Sequence, residues 1–369
     1  MKSRIAALMP LGFIASMCLI FSFWMPLGVY EEDIVFWRQF PEAFVMVLVG
    51  LFGLAVPKHP ILRTIALFVA ASALISVPTS ELQMGWHASG FWLALIGIAL
   101  FAWSVMGDFA AMPRKRWTDI AVPVLFGLLL VYLWQAIVVG FAVPKVLLPA
   151  PTAIATALHG SVETLAIDFR TTFLQAVLTG FMLGNLIAFL TALFADRVPF
   201  IQRGLLPLGN LASSVPVVGI APIMVMWFGF GWESKTAVIV FMIFFPMLVN
   251  ALAGLNAADR MSLDLMRSYG ASYRQTLWKL RLPMALPFLF NALKVNSTLA
   301  LIGGIVAEFF GSPDRGMGFR ISVEDARMGL DMVWATITVA AVAGSAFYGI
   351  IALLERAFTF WHPSYRAQN

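Results

Sequence analysis

Residues that could carry out chemistry on a bound substrate are few and far apart in this chain. Histidine occurs at four positions, with no pair at the spacing of metal ligands: His59, His87, His159 and His362. The single cysteine, Cys18, lies within an apolar run and cannot form an intrachain disulfide. The G-x-x-x-x-G-K-[ST] sequence of a nucleotide-binding P-loop does not occur. We therefore expect no catalytic residue, no metal site and no cofactor in this chain, and any energy must come from a partner.

Acidic residues are also missing from the centres of the apolar segments, where a proton- or sodium-coupled carrier commonly has one. Glu308 comes closest, and we expect it at the end of its helix, where its carboxylate can reach water. This pattern disfavours a secondary transporter. The lack of a nucleophile–base pair or a metal cluster disfavours a membrane-embedded enzyme. Both classes stay open as alternatives to a transport subunit.

The most informative polar segment is the loop of residues 256–283. Ser262 is expected to cap a short helix that has Asp264 in its first turn, where a negative charge favours the helix dipole. Gly270 permits the sharp turn that ends this helix.

A second short helix is expected after that turn. Ser272 and Gln275 match a capping box at its start, and Leu282-Pro283 is expected to close it before the next apolar segment. The 256–283 loop is therefore predicted to form a helix–turn–helix at the cytoplasmic surface. The alternative is an ordinary amphipathic loop that rests on lipid headgroups.

The composition indicates that membrane-spanning helices position the polar residues described above. Of the 369 residues, 61% are hydrophobic and only 12% are charged, about half the charge of a soluble globular protein. Uncharged runs of about 20 residues, long enough to cross a bilayer, recur along the chain. The sequence predicts an all-α, polytopic transmembrane protein and excludes a soluble enzyme, a secreted disulfide scaffold and a nucleic-acid-binding protein. About ten spans are expected, over residues 5–30, 43–57, 65–77, 91–106, 120–143, 171–194, 205–230, 236–255, 287–309 and 332–354.

The charged residues orient these spans. When the N-terminus is placed in the cytoplasm, most of the 24 Lys and Arg residues fall on the cytoplasmic side, as the positive-inside rule requires. Both termini are therefore predicted to be cytoplasmic. The basic cluster Arg114-Lys115-Arg116 divides the chain into an accessory block of four helices, residues 1–113, and a core of six helices, residues 114–369.

Polar residues inside the later spans are candidates for a translocation path, because polar groups in a bilayer usually face protein or water. The alternative is that Ser bonds back to its own helix and that Asn joins neighbouring helices. The glycine pairs Gly180/Gly184 and Gly303/Gly304 are expected at close helix contacts instead. The candidate path residues are Asn210, Ser213, Ser214, Pro216, Asn250, Asn296 and Ser297.

Several motifs resemble those of the permease subunits of ABC importers. Within the 256–283 loop, the family's signature is matched by Asp264-Leu265-Met266, Gly270 and Leu280-Arg281-Leu282-Pro283. Similarity to the nitrate/sulfonate/taurine branch extends to Val215-Pro216, Ala221-Pro222, Trp227 to Gly231, Phe244-Phe245-Pro246 with Asn250 and Gly254, Val306-Ala307-Glu308 and Gly316-Met317-Gly318. The resemblance covers the chain from about Arg114 onward. It departs where the family's Glu-Ala-Ala is Asp-Leu-Met, and it leaves the four N-terminal spans unexplained.

The resemblance implies a MetI-like permease core in the inner membrane of a bacterium, with no catalytic role of its own. It implies that the loop docks on cytoplasmic ATP-binding subunits, which use ATP and Mg²⁺, through Asp264, Leu265, Met266, Gly270, Ala271, Ser272, Leu282 and Pro283. It also implies a periplasmic solute-binding protein and a second permease copy or a paralogue as partners, with the lipid bilayer around them. The solute would be a small molecule of the nitrate, sulfonate or taurine type, or a thiamine-pyrimidine or other vitamin precursor.

Overall fold

The computed structural model describes residues 2–30, 33–56, 59–76, 85–113, 115–198, 200–201, 204, 207, 216–311 and 314–360. Helices dominate this part of the chain, which also contains a hairpin of β1 (Pro26–Tyr30) and β2 (Asp33–Phe36). The all-α, membrane-spanning class predicted from composition is confirmed. Contacts divide the chain into two compact units, Met1–Ala155 and Thr156–Asn369. The functional division at residues 113 and 114 stays a prediction.

The described residues of the first unit form five apolar helices. They are α1 (Lys2–Trp24), α2 (Pro41–Ala55), α3 (Pro60–Ser76), α4 (Ser89–Ala111) and α5 (Arg116–Gly140). Proline begins α2 and α3, where its fixed φ suits a first turn and its missing N–H is not needed. Large apolar side chains from α1 to α4 form the centre of the unit, among them Leu19, Met46, Leu74, Ile98 and Phe101.

One arginine of the first unit lies inside the helix packing. The third predicted span begins at residue 65, but α3 begins at Pro60 and buries the side chain of Arg63. Its guanidinium forms an ion pair with Asp108 and donates a hydrogen bond to Ser104 Oγ at 2.8 Å. It also donates to the carbonyl of Gly53 at 3.1 Å. These partners satisfy a charge that would be costly to bury alone.

The second unit contains the remaining helices. They are α6 (Pro151–Gly160), in which the unit begins, α7 (Val162–Phe169), α8 (Leu178–Arg197), α9 (Val217–Phe228), α10 (Trp232–Leu255), α11 (Arg260–Ser268), α12 (Tyr273–Thr276), α13 (Leu282–Gly311), α14 (Met317–Ala326) and α15 (Leu330–Phe358). Wider π-helical turns at Arg170–Val177 and Leu277–Arg281 join α7 to α8 and α12 to α13.

Helices α8, α10 and α13 pack closely because glycine lines their contacts. A Cβ added at Gly180 would lie 2.7 Å from Ile239, and one added at Gly184 would lie 2.7 Å from Ile243. The pair Gly303-Gly304 on α13 approaches its neighbours in the same way. The prediction that these glycines mark close helix contacts is confirmed.

Six helices of the described part are long and apolar enough to cross a membrane, judged by length and composition. Four shorter apolar helices lie at Leu11–Trp24, Pro41–Ala55, Pro60–Ser76 and Val217–Phe228. Each of the predicted spans overlaps one of these helices. Within the seventh predicted span, residues 208–215 lie outside the described residues. The number of spans and the side on which each terminus lies stay predictions.

Candidate functional site

The 256–283 loop folds into two short helices whose ends are fixed by hydrogen bonds. Asp259 caps α11, because its carboxylate accepts a hydrogen bond from the backbone N–H of Ser262 at 3.1 Å. The prediction that Ser262 is the cap is wrong, since an equally suitable capping residue lies one turn earlier. Hydrogen bonds from Ser262 also lower the pKa of the Asp259 carboxyl below its usual value. The cap therefore stays negatively charged at neutral pH.

The turn after α11 depends on the left-handed backbone of Gly270, whose φ is 66°. Its N–H donates to the carbonyl of Arg267 at 2.9 Å, and the N–H of Ala271 donates to that of Met266 at 3.0 Å. This pair of bonds is the Schellman arrangement, which satisfies carbonyls left free at a helix end. The predicted role of Gly270 in ending the helix is confirmed.

The second short helix begins at the predicted capping box. Gln275 N–H donates to Ser272 Oγ at 3.3 Å, and Ser272 N–H donates to Gln275 Oε1 at 2.8 Å. The prediction that Leu282-Pro283 closes this helix is wrong. The helix continues into α13 because a π-helical turn intervenes, in which the N–H of Leu282 donates to the carbonyl of Leu277. The wider turn accommodates the proline, which has no N–H and would otherwise clash with the preceding turn.

The 256–283 loop carries large apolar side chains that nothing in the described chain covers. Met261 is 82% exposed, Leu265 57% and Tyr269 81%. Neither α11 nor α12 has a buried residue. Asp264 pairs with Arg267 at 3.1 Å on the exposed surface. Apolar side chains rimmed by charged ones are typical of a surface that binds protein or membrane.

The other residues predicted for the docking surface lie around this patch. Met266 and Ala271 are half-buried beside the turn, and Ser272 is exposed at the start of α12. Leu282 and Pro283 are half-buried where α13 begins. The structure therefore brings the predicted residues into one short segment, with Asp264, Leu265 and Ser272 exposed.

An ion pair that sequence reasoning missed holds this segment against the helices. Both guanidinium ends of Arg281 donate to the carboxylate of Asp196 at the end of α8, at 2.8 and 2.6 Å. The hydroxyl of Tyr273 donates to the same carboxylate at 2.7 Å. The only local signal was an arginine inside the Leu280-to-Pro283 motif, and it does not reveal a partner so distant in the chain.

A second buried cluster lies between α7, α13 and the start of α14. The carboxylate of Glu308 is 1% exposed and accepts hydrogen bonds from Thr172 Oγ1 at 2.8 Å and from Gly318 N–H at 2.7 Å. The expectation that Glu308 reaches water is wrong, because these donors replace water around it. Nearby, Asp168 accepts from Arg320 Nε at 2.8 Å and from Gly316 N–H at 2.9 Å.

The two glycines of this cluster explain the Gly316-Met317-Gly318 motif. Gly316 has a φ of 122°, a conformation that L-residues rarely adopt. A Cβ at Gly318 would meet the carbonyl of Ile305, so only glycine lets its N–H approach Glu308. The motif therefore fixes the start of α14 against α13.

The candidate path residues lie at several places. Asn210, Ser213 and Ser214 lie outside the described residues. Pro216 is exposed at the start of α9. The Asn250 Nδ2 donates to the carbonyl of Pro246 at 2.8 Å, which is a bond within its own helix. The amides of Asn250 and Asn291 lie 3.5 Å apart, so α10 and α13 bring these two polar groups together.

Asn296 and Ser297 are buried among the helices. Asn296 Nδ2 donates to Asn185 Oδ1 at 2.6 Å and to the carbonyl of Ile243 at 3.0 Å, which joins α8, α10 and α13. Its buried Oδ1 has no hydrogen-bond partner among the described residues. Ser297 Oγ donates to the carbonyl of Lys294 at 2.7 Å, a bond back to its own helix. These contacts match the alternative of helix contacts, and a role in a path stays a prediction.

The described residues were also compared with the side-chain groups that bind metal ions. Among the residues that the structure describes, no group of three or more His, Cys, Asp or Glu side chains could hold a metal ion. What the geometry offers is a capped, partly apolar protrusion tied by an ion pair to long apolar helices. The apolar side chains of this protrusion are exposed, and the ion pair holds it against the helices.

Comparison with known proteins agrees with this geometry. The family of binding-protein-dependent transport system inner membrane components matches residues 180–360. A Haemophilus influenzae protein named a probable ABC transporter permease is 32% identical over 235 residues, which are 63% of this chain and 95% of the relative. The formylaminopyrimidine transport permease protein ThiX of Halalkalibacterium halodurans is 30% identical over 247 residues, 67% of this chain and 98% of the relative. The taurine transport system permease protein TauC of Escherichia coli is 28% identical over 262 residues, 68% of this chain and 92% of the relative.

These relatives are matched over nearly their whole length, and each is named as a transport permease. The family match includes the 256–283 loop and the helices on both sides of it. The chain therefore belongs to the binding-protein-dependent inner-membrane permeases, the multi-pass, non-enzymatic transport subunits of ABC importers.

Proposed function

We propose that this chain forms one half of the translocation path of an ATP-driven importer for a small solute, and that the 256–283 loop is its socket for a cytoplasmic ATP-binding subunit. The observation that best supports this proposal is the exposed apolar surface of Met261, Leu265 and Tyr269. These residues lie on a loop whose turns are fixed by hydrogen bonds. The fixed turns hold these three side chains in one arrangement, as a surface that binds another protein requires.

The remaining partners follow from this role. The chain contains no P-loop sequence, so ATP and Mg²⁺ are used by the ATP-binding subunits. A periplasmic solute-binding protein delivers the solute, as the family's description implies. A second copy of this chain, or a paralogue, supplies the other half of the path. The 256–283 loop and both termini of the chain lie on the cytoplasmic side of the membrane.

The solute is a small molecule of one of two types suggested by the relatives. One relative is named for formylaminopyrimidine and another for taurine. Asn250 and Asn291, whose amides lie 3.5 Å apart between α10 and α13, are the path residues favoured by the described geometry. Amides can both donate and accept hydrogen bonds, which suits either a heterocycle or a sulfonate.

The test is recovery of the ATP-binding subunit with tagged permease from membranes. Leu265→Glu places a charge in the centre of the apolar surface and should abolish recovery while leaving membrane insertion normal. Phe360→Glu is the matched control, because Phe360 is 73% exposed and lies outside the loop. Equal recovery with Leu265→Glu and with the unchanged chain would contradict the socket assignment.

A further inference from the structure

The side chain of Arg281 connects three helix ends. Its two terminal nitrogens bind the two oxygens of Asp196 at 2.8 and 2.6 Å, the paired geometry in which arginine binds carboxylates most strongly. Its Nε donates to the carbonyl of Leu255 at 2.8 Å, and it also reaches Asn256 Oδ1 at 3.3 Å. Leu255 ends α10, so Arg281 satisfies a carbonyl that the helix leaves free.

Both side chains of the Arg281–Asp196 ion pair are largely shielded from water. The side chain of Asp196 is 4% exposed and that of Arg281 is 15% exposed. Water and salt screen such a pair much less than they screen a surface pair. The same loop contains a surface ion pair for comparison. Arg267 and Asp264 form it, and both of their side chains are more than half exposed.

Tyr273 attaches the other end of the same short helical piece to Asp196. Its hydroxyl donates to Asp196 Oδ2 at 2.7 Å, and the guanidinium of Arg197 lies 4.6 Å from the centre of its ring. Tyr273 begins α12 and Arg281 ends the π-helical turn that follows. The first and last residues of the segment from Tyr273 to Arg281 therefore both bind Asp196 at the end of α8.

The apolar contact around this point is made by alanines together with larger side chains, among them Met247, Leu248, Leu252, Leu255 and Leu289. Small side chains line the facing surfaces near the ends of α8, α10 and α13, namely Ala188, Ala192, Ala195, Ala251, Ala285 and Ala292. Packed helices can shift past one another by small sliding movements. Apolar contacts can exchange one packed arrangement for another during such sliding, whereas a paired guanidinium and carboxylate bind in one geometry.

We propose that Arg281, with Asp196 as its partner, is the positioning residue that makes α8 follow the 256–283 loop when the ATP-binding subunit moves it. This inference rests on the proposed function of the loop as a socket. Helix α13 continues directly from the loop and moves with it through the backbone. Helix α8 is far away in the chain. It packs against α10 and α13 along its length, and Arg281 and Tyr273 tie its end to the loop.

The test compares reporters on the two kinds of helix in the full complex with its ATP-binding subunits. Thr191→Cys reports on α8 and Phe288→Cys reports on α13, where Phe288 is 37% exposed, each in a Cys18→Ser background. Inside-out vesicles are labelled with a membrane-impermeant thiol reagent, with and without ATP. The variant is Arg281→Gln, and Lys279→Gln is its control, because it removes the same charge nearby and Lys279 makes no ion pair with any described residue.

With Arg281→Gln, recovery of the ATP-binding subunit should match the unchanged chain. The ATP-dependent change in labelling should fall about tenfold for the α8 reporter, a typical size for coupling between sites, and should persist for the α13 reporter. Lys279→Gln should leave both responses unchanged. Arg281→Lys, which keeps the charge and loses the paired geometry, should restore part of the α8 response.

Three outcomes would overturn the proposal. An unchanged α8 response in Arg281→Gln would show that packing alone moves α8. Lost recovery of the ATP-binding subunit in that variant would show that the ion pair builds the socket. If the unchanged chain recovers no subunit, the proposed function itself fails. Should Arg281→Gln not reach the membrane, Tyr273→Phe and Asp196→Asn are measured in the same way, with the same α8-specific loss expected.

Discussion

Replacing Gly270 tests the 256–283 loop most simply, because only backbone conformation is perturbed. A Cβ built at Gly270 meets no atom within 4 Å, so a substitution creates no clash. Its φ of 66° is nevertheless a left-handed conformation. An L-residue reaches that conformation at a cost of about 1–2 kcal/mol, and a β-branched residue lies at the upper end.

These costs predict a graded series. Gly270→Asn should be mildest, since asparagine tolerates the left-handed region. Gly270→Ala should cost about 1 kcal/mol and Gly270→Val about 2 kcal/mol, which lower the equilibrium ratio of the intact turn to an altered turn by about fivefold and thirtyfold. Binding of the ATP-binding subunit should weaken in that order.

The assay is titration of the ATP-binding subunit onto each purified variant, with membrane insertion measured in parallel. Insertion should be normal throughout, since the residue is exposed and outside the apolar helices. Equal affinities for Val and Gly at this position would refute the reasoning. A loss of affinity in Gly270→Asn as large as that in Gly270→Val would refute it too. The loss would then not follow the energy that each residue needs to adopt a left-handed backbone conformation.

Four further results are expected. The purified chain alone should neither bind nor hydrolyse ATP, measured by equilibrium binding and phosphate release, since it has no P-loop sequence; measurable affinity would restore the enzyme alternative. In a Cys18→Ser background, Thr152→Cys should react with an impermeant thiol reagent from outside the cell and Tyr273→Cys should not; the reverse pattern would invert the topology. A chain that begins near residue 112 should insert and still recover the ATP-binding subunit, because the family match begins only at residue 180; failure to insert would make the first four helices part of the core. Gly318→Ala should lower thermal stability by about 1–3 kcal/mol, measured by a shift of the unfolding midpoint in detergent, since its Cβ would press on the carbonyl of Ile305 and displace the N–H that binds Glu308; an unchanged midpoint would contradict the tight approach.

Features that depend on neighbours in the sequence were predicted well. Apolar runs located the helices, since burial in lipid requires only length and composition. The Gly270 turn and the Ser272–Gln275 capping box follow from local backbone chemistry and appear as expected. The cap at Asp259 was missed because two suitable residues compete one turn apart, and only the fold selects between them.

Features that depend on distant pairs were not predictable. Asp196 and Arg281 each read as ordinary charges at the end of an apolar run, and their pairing needs the relative positions of α8 and the loop. Glu308 appeared free to meet water because its donors, Thr172 and Gly318, come from other segments. The helix that runs through Leu282-Pro283 depends on a π-helical turn, for which the sequence gives no signal.

The central claim is that the 256–283 loop binds an ATP-binding subunit. A photoreactive amino acid at Leu265, which is 57% exposed on α11, tests it in living cells. Irradiation should join the permease to a cytoplasmic ATP-binding subunit, and the same group at Phe360 should not form that product. A product at Leu265 that contains only lipid would contradict the account, because the loop would then rest on the membrane surface.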